Sequence, residues 1–176
     1  MDIFLRKWQL QDAKRIQPLA NDMEIAKYLR NGFPYPYAEQ DAETYIQFCL
    51  SGDENVQLCR AIVVDGQVAG SIGVFCQNPH EVYAKSAEIG YWLGRTYWGK
   101  GIMREAIKQI CREAFETYDI VRIFAEPYAN NIGSRKALEY AGFQLEGIMR
   151  KSVFKNGEIV DGCLYARLDD ENEDDS

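Results

Sequence analysis

Two glycines flank a lysine in the turn Trp98-Gly99-Lys100-Gly101, just before the most regular helical pattern of the chain. Glycine has no Cβ, so a ligand can approach its backbone closely, and the first amides of a helix have no partner within that helix. The helix dipole and the side chains of Lys100 and Arg104 add positive potential at the same place. The combination would suit a diphosphate, but taken alone it is a weak signal, because two glycines and a lysine more often begin helices that bind nothing.

Other familiar catalytic patterns are missing from the sequence. There is no Gly-x-Gly-x-x-Gly, and no Ser or Thr follows Lys100 as it would in a P-loop. His80 is the only histidine and no Gly-x-Ser-x-Gly accompanies it, so a serine hydrolase triad is not supported. Five cysteines without a Cys-x-x-Cys pair indicate reduced thiols, and we expect neither disulfides nor a metal site.

The composition is that of one folded domain. The chain has 176 residues, of which 47% are hydrophobic and 27% charged. The net charge is −7, but residues 169–176 contain six acidic side chains, which leaves −1 for residues 1–168. We therefore expect a nearly neutral domain over 1–168 followed by an acidic, disordered tail. Without a basic excess, nucleic acid is not an expected partner.

The patterning also bears on location. No apolar run approaches about 18 residues, so no membrane span is predicted. The first residues do not form a basic segment followed by a long apolar one, so no secretory signal is predicted, and the expected location is the cytoplasm.

Strand and helix patterns alternate along the whole domain, which predicts a mixed α/β fold. Asp65-Gly66 and Asn156-Gly157 each predict a tight hairpin turn. The predicted strands are 3–8, 58–64, 67–77, 87–93, 120–125, 143–154 and 158–168. The predicted helices are 12–17, 23–29, 39–50, 102–115 and 134–140.

The segment 31–37 contains two prolines, a glycine and three aromatic residues, so it cannot continue a helix. Such a loop either covers the core or forms the wall of a binding cleft. In the second case Phe33, Tyr35 and Tyr37 would contact a substrate.

Several segments resemble, in the same order, those of the GNAT superfamily of N-acetyltransferases. Tyr97-Trp-Gly-Lys-Gly-Ile102 is similar to the loop that binds the pyrophosphate of acetyl-coenzyme A in that superfamily. Asn131-Ile-Gly-Ser134 and the segment 138–147 resemble the region beside the pantetheine arm in the RimJ/RimL branch. The segments 33–37, 87–93 and 154–158 resemble that branch too. The resemblance implies a mostly antiparallel sheet of about seven strands, splayed in the middle and flanked by helices.

The resemblance also implies a set of coenzyme-binding residues. A strand amide near Tyr91–Leu93 would donate to the thioester oxygen, and Asn131 would bond the pantetheine amide unless it is only a turn residue. The implied binding residues are Tyr91, Trp92, Leu93, Trp98, Gly99, Lys100, Gly101, Ile102, Met103, Arg104, Asn131 and Ser134.

Two positions depart from the family pattern. Met103 stands where the family usually has Gly or Ala. Leu138 stands where many members have a tyrosine general acid, and Tyr140 lies about 200° further around the helix.

The candidate general base is Glu88, the one ionisable residue in an otherwise apolar strand. Burial would raise its pKa toward a useful value, although an outward-facing glutamate on an alternating strand is an equal alternative. Glu146 and Glu43 are weaker candidates. By resemblance Ser134 lies near the sulfur and could donate to the leaving thiolate, but it could instead cap its helix, which the sequence slightly favours.

By resemblance the protein transfers an acetyl group from acetyl-coenzyme A to a primary amine by direct attack. The branch modifies protein amino termini, including ribosomal ones, so a protein α-amine is the first expected acceptor. A polyamine or an aminoglycoside is the alternative acceptor, and a non-catalytic acyl-coenzyme A-binding module is the alternative function. A homodimer is compatible with the sequence but not indicated by it.

Overall fold

The computed structural model describes residues 1–172 of the chain. Within them lie seven strands in one sheet and five α-helices. The strands are β1 (Ile3–Arg6), β2 (Gln57–Val64), β3 (Gln67–Cys76), β4 (Ser86–Leu93), β5 (Arg122–Ala125), β6 (Gln144–Lys155) and β7 (Glu158–Leu168). The helices are α1 (Ala13–Ala20), α2 (Met23–Ala26), α3 (Glu39–Ser51), α4 (Ile102–Thr117) and α5 (Ile132–Tyr140).

The sheet has the order β1-β2-β3-β4-β5-β7-β6, and every neighbouring pair is antiparallel except β4 and β5. The parallel pairing is short, because it joins only Ser86–Glu88 of β4 to Arg122–Phe124 of β5. Beyond Glu88, β4 continues to Leu93 beside β3 alone. The predicted mostly antiparallel sheet with a splayed middle is therefore confirmed.

Both predicted hairpin turns are present. Asp65 and Gly66 have φ values of 48° and 83°, and Asn156 and Gly157 have values of 52° and 79°. Positive φ at both central residues is the geometry that matches the twist of the flanking strands, and it explains the Asp-Gly and Asn-Gly pairs. The two turns fix the register of β2 with β3 and of β6 with β7.

Helices cover both faces of the sheet. The apolar stripe predicted on α4 packs against one face, with Ile107 and Ile110 fully buried. Helices α1 and α3 cover the other face through Ile16 and Ile46. Each fully buried side chain of this size stabilises the fold by about 1.5–3 kcal/mol relative to exposure.

Most predicted elements differ from the observed ones by one to three residues at one or both ends, as three examples show. The first strand ends at Arg6 rather than residue 8, because Trp8 turns into the core, where its ring meets that of Tyr45 at 6.0 Å. The helix predicted over 23–29 is one turn long, since the chain leaves it to enter the loop before Phe33. The last predicted helix starts at Ile132 rather than Ser134.

The predicted tail is described only in part. Asp169–Asn172 forms a short 3-10 helix after β7, and residues 173–176 lie outside the described residues. Among residues 1–172, no helix combines the length and the apolar character that crossing a membrane requires.

Candidate functional site

A cleft of about 820 Å³ opens where β4 separates from β5. It lies between the end of β4, the first turn of α4 and the first turns of α5. Every residue that the resemblance implies for coenzyme binding lines it. These residues are Tyr91, Trp92, Leu93, Trp98, Gly99, Lys100, Gly101, Ile102, Met103, Arg104, Asn131 and Ser134. This cavity is called the large cleft below.

At one end of the large cleft, the backbone of the glycine turn (residues 98–101) adopts conformations that favour glycine. Gly99 and Gly101 have φ values of 72° and 77°, in the left-handed region. A Cβ at Gly99 would meet no atom within 4 Å, so the backbone there is open to a ligand. The indole of Trp98 anchors the turn to β4 by donating to the carbonyl oxygen of Leu93 at 2.8 Å.

Positive charge concentrates beside this turn. Gly101 is the N-cap of α4, so the first amides of that helix point out of its end without partners in the helix. Lys100 is exposed, and the Arg104 guanidinium lies 5.7 Å from the centre of the Tyr140 ring. Amides, helix dipole and two cations together suit a diphosphate.

The other end of the large cleft offers backbone and hydroxyl groups. Past Glu88 the β4 backbone has a strand partner only on its β3 side, so its remaining polar groups can bond an extended ligand. Two hydroxyls meet there, because the Tyr91 oxygen lies 2.6 Å from Ser134 Oγ. The large cleft therefore fits a long ligand that carries a diphosphate at one end and an amide-bearing arm at the other.

The N-cap of α5 is Asn131, whose side-chain oxygen accepts from the Ser134 amide at 3.3 Å. The alternative that Ser134 caps this helix is therefore wrong, because Ser134 lies in the first turn and its hydroxyl is directed to Tyr91. Burial raises the pKa of the Tyr91 phenol, and the hydrogen bond with Ser134 lowers it by less.

Glu88 lies at the point where the two strands separate. Its side chain is 27% exposed, and Arg30 Nη2 is 2.9 Å from its Oε1. The same Arg30 nitrogen is 3.3 Å from Oε2 of Glu126, which directly follows β5. Burial raises the pKa of Glu88, the positive charge of Arg30 lowers it by less, and the negative charge of Glu126 raises it.

A second cavity of about 370 Å³, called the small cavity below, adjoins this ion-pair cluster. Its walls are Arg30, Asn31, Glu126, Tyr128 and part of the β6–β7 hairpin. The Lys155 ammonium of that hairpin donates to Asn31 Oδ1 at 3.1 Å. Sequence reasoning missed Arg30 and Glu126. Glu126 directly follows β5, which was an available signal, whereas Arg30 lies in the loop after α2 and no local pattern marks it.

The aromatic residues of the loop 31–37 line neither cavity. The Phe33 ring packs on Trp92 and Tyr37, with centroids 6.0 and 5.1 Å apart, and Tyr37 is almost fully buried. Tyr35 is exposed. Phe33 and Tyr37 therefore follow the first of the two alternatives for this loop. They cover the core, because their rings fill the space beside Trp92.

The remaining candidates lie away from both cavities. Glu146 is held by Arg122 through contacts of 2.6 and 2.8 Å, which lower the pKa of its carboxyl group. Glu43 lies on α3, and Leu138 is a fully buried residue of α5. Within residues 1–172 no cluster of three or more His, Cys, Asp or Glu could hold a metal ion.

Comparison with known proteins gives consistent matches. The family model of the acetyltransferase (GNAT) domain matches residues 2–144. The chain is 31% identical over 164 residues to the uncharacterized N-acetyltransferase p20 of Bacillus licheniformis, covering 93% of this chain and 91% of that protein. It is 33% identical over 99 residues to the ribosomal-protein-serine acetyltransferase of Escherichia coli K12, covering 56% and 55%.

A solved structure shows the same fold. It is that of the microcin C7 self-immunity acetyltransferase MccE in complex with acetyl-CoA and AMP, with a TM-score of 0.82 and 25% identity. The match covers 95% of this chain and 92% of MccE.

Proposed function

The chain belongs to the GNAT acetyltransferase family, and we propose that it acetylates the α-amino group of a protein N-terminus. It is an acyltransferase that uses acetyl-coenzyme A. The relative that acts on a ribosomal protein supports the proposed acceptor, although it matches little more than half of either chain.

The charge balance beside the small cavity is the observation on which the acceptor class rests. Two carboxylates, Glu88 and Glu126, are accompanied there by two cations, Arg30 and Lys155. A polyamine or aminoglycoside carries several positive charges and would need an excess of carboxylates to replace its hydration. A peptide N-terminus brings a single positive charge, which this balanced cluster can accept.

The cost of deprotonation favours the same acceptor. An amine attacks a thioester only as the free base. An α-amino group with a pKa near 7.7–8.0 costs about 1 kcal/mol to deprotonate at pH 7, whereas an amine near 10.4 costs about 4.6 kcal/mol. The smaller cost suits a site with one half-buried carboxylate as its base.

Different residues of the chain bind the coenzyme, accept the proton and stabilise the leaving sulfur. The first amides of α4, with Lys100 and Arg104, hold the diphosphate, and the β4 backbone beyond Glu88 aligns the arm. Acetyl-coenzyme A supplies an acyl group activated as a thioester. Glu88 accepts a proton from the incoming amine, directly or through water, and Ser134 donates a hydrogen bond to the departing sulfur.

The test compares acceptors that differ in one property at a time. Short peptides beginning with Ser or Ala are incubated with enzyme and acetyl-coenzyme A, and products are identified by mass spectrometry. The matched control is each peptide with a blocked N-terminus and an internal lysine. We expect acetylation of the free N-termini only.

Parallel arms contain spermidine and an aminoglycoside. Turnover of either one without peptide turnover would replace the proposed acceptor with a small amine. Tight coenzyme binding without turnover of any amine would instead indicate a binding module.

A further inference from the structure

The Tyr91 hydroxyl has one recorded hydrogen-bond partner in residues 1–172, which is Ser134 Oγ at 2.6 Å. Tyr91 is in β4 and Ser134 in α5, so this contact joins the two elements on either side of the large cleft. Both residues line that cleft. The pair therefore borders the large cleft, where the coenzyme arm would pass.

The direction of the hydrogen bond follows from the surroundings of the two oxygens. The Tyr91 ring packs against the core, and within residues 1–172 its hydroxyl has no hydrogen-bond acceptor other than Ser134 Oγ. A buried donor without an acceptor is costly, so the phenol donates to Ser134. Ser134 then keeps its own proton for an acceptor on the side of the large cleft.

We propose that Tyr91 is a positioning residue that orients the Ser134 hydroxyl toward the coenzyme sulfur. The inference rests on the role of Ser134 stated under the proposed function, and it is independent of which amine is the acceptor. A hydroxyl that accepts one hydrogen bond becomes a better donor of the next, so the phenol also strengthens the donation by Ser134.

Proton affinities determine what the pair does. Burial raises the pKa of Tyr91 above that of an ordinary phenol, well above the value near 8.5 of a thiol. Transfer of its proton to the thiolate is therefore unfavourable, and the pair stabilises the sulfur by hydrogen bonding. The amine nitrogen bonds to the acyl carbon as the C–S bond breaks, and the electron pair of that bond stays on sulfur. The proton of the nitrogen passes to Glu88, and the released thiolate takes a proton from water.

A binary complex tests this without any acceptor. Coenzyme A is bound to the enzyme, and thiolate formation is followed by ultraviolet absorbance against pH, with desulfo-coenzyme A as the blank. We expect Ser134→Ala to move the midpoint upward by about 1 pH unit, because it removes a hydrogen bond to a charged atom. Tyr91→Phe should move the midpoint upward by a smaller amount.

The double variant separates positioning from general support of the fold. Because Tyr91 acts through Ser134, the midpoint of Tyr91→Phe/Ser134→Ala should equal that of Ser134→Ala alone. The matched control is Tyr165→Phe, which removes another hydroxyl bonded to α5, through Glu139 and Arg135, away from the large cleft. This control should leave the midpoint unchanged.

Two results would overturn the inference: a Tyr91→Phe midpoint equal to that of the wild type, or single shifts that add in the double variant. Thermal unfolding of each variant with bound coenzyme A shows whether the site stays folded. Because no amine is present, the result is separate from the peptide assay, and either conclusion can fail alone.

Discussion

Replacing Arg30 by methionine tests whether Glu88 is the general base. Arg30 is the cation that contacts the Glu88 carboxylate, and methionine keeps much of its length without the charge. Glu88 must be deprotonated to accept a proton, so kcat/KM should fall as the pH drops through its pKa. Without Arg30 the carboxylate loses a stabilising charge, its pKa rises, and the acid limb of the profile moves to higher pH.

The size of the effect follows from the 2.9 Å separation and from solvent exposure. At this separation, Coulomb attraction is about 1.4 kcal/mol in water and about 6 kcal/mol at an effective dielectric constant of 20. The Arg30 side chain is 70% exposed, so screening keeps the interaction near the lower value, at about 1 kcal/mol. That energy corresponds to a loss of about fivefold in kcat/KM at pH values on the acid limb. On the plateau, kcat/KM should change little.

The assay is the rate of coenzyme A release across the acid range, with each variant normalised to its own plateau. Lys155→Met is the matched control, because it removes another cation of the small cavity that bonds an amide oxygen rather than a carboxylate. Glu88→Gln should abolish the acid limb and lower the plateau. An acid limb that does not move in Arg30→Met would refute the assignment of that limb to Glu88.

Three further outcomes are expected. Gly101→Glu places a carboxylate beside the predicted diphosphate position and should weaken coenzyme A binding at least about 100-fold in calorimetry. Gly157→Glu introduces the same side chain at a left-handed hairpin position and should leave coenzyme A binding unchanged. Equal losses of affinity in the two variants would implicate backbone strain instead of charge repulsion. Leu138→Tyr should lower the free energy of unfolding in urea by about 1–3 kcal/mol through overpacking, without raising kcat; a faster enzyme would contradict the buried position. At neutral pH, iodoacetamide should modify Cys49 before Cys111, as followed by peptide mass mapping. A hydrogen bond with a neighbouring thiol lowers the pKa of Cys49, whereas burial raises the pKa of Cys111. Modification in the reverse order would refute this prediction.

The most local features were the most predictable. The hairpin at Asp65-Gly66 follows from two residues, and α4 follows from a stripe of apolar side chains at helical spacing. Both depend on interactions between neighbours in sequence. The glycine turn was predictable for the same reason, since its backbone conformation depends on the four consecutive residues 98–101.

Boundaries and side-chain directions were less predictable where tertiary packing competes with local preference. Trp8 continues an apolar strand pattern, yet burial of its ring against Tyr45 ends the strand earlier. Ser134 is a good cap by residue type, but Asn131 takes that position, which leaves the Ser134 hydroxyl available to Tyr91. Phe33 and Tyr37 suit a binding loop, but their rings pack in the core.

By itself the sequence determined the type and order of the elements, both tight turns and the turn expected to bind the diphosphate, because these depend on backbone conformation and periodicity over a few residues. Only the tertiary structure brought Arg30, Glu88 and Glu126 together, and only it joined Tyr91 to Ser134. These groups are separated by tens of residues along the chain. Their distances are set by how β4, β5, α5 and the loop after α2 pack around the divergence of the sheet, and no local pattern contains that information.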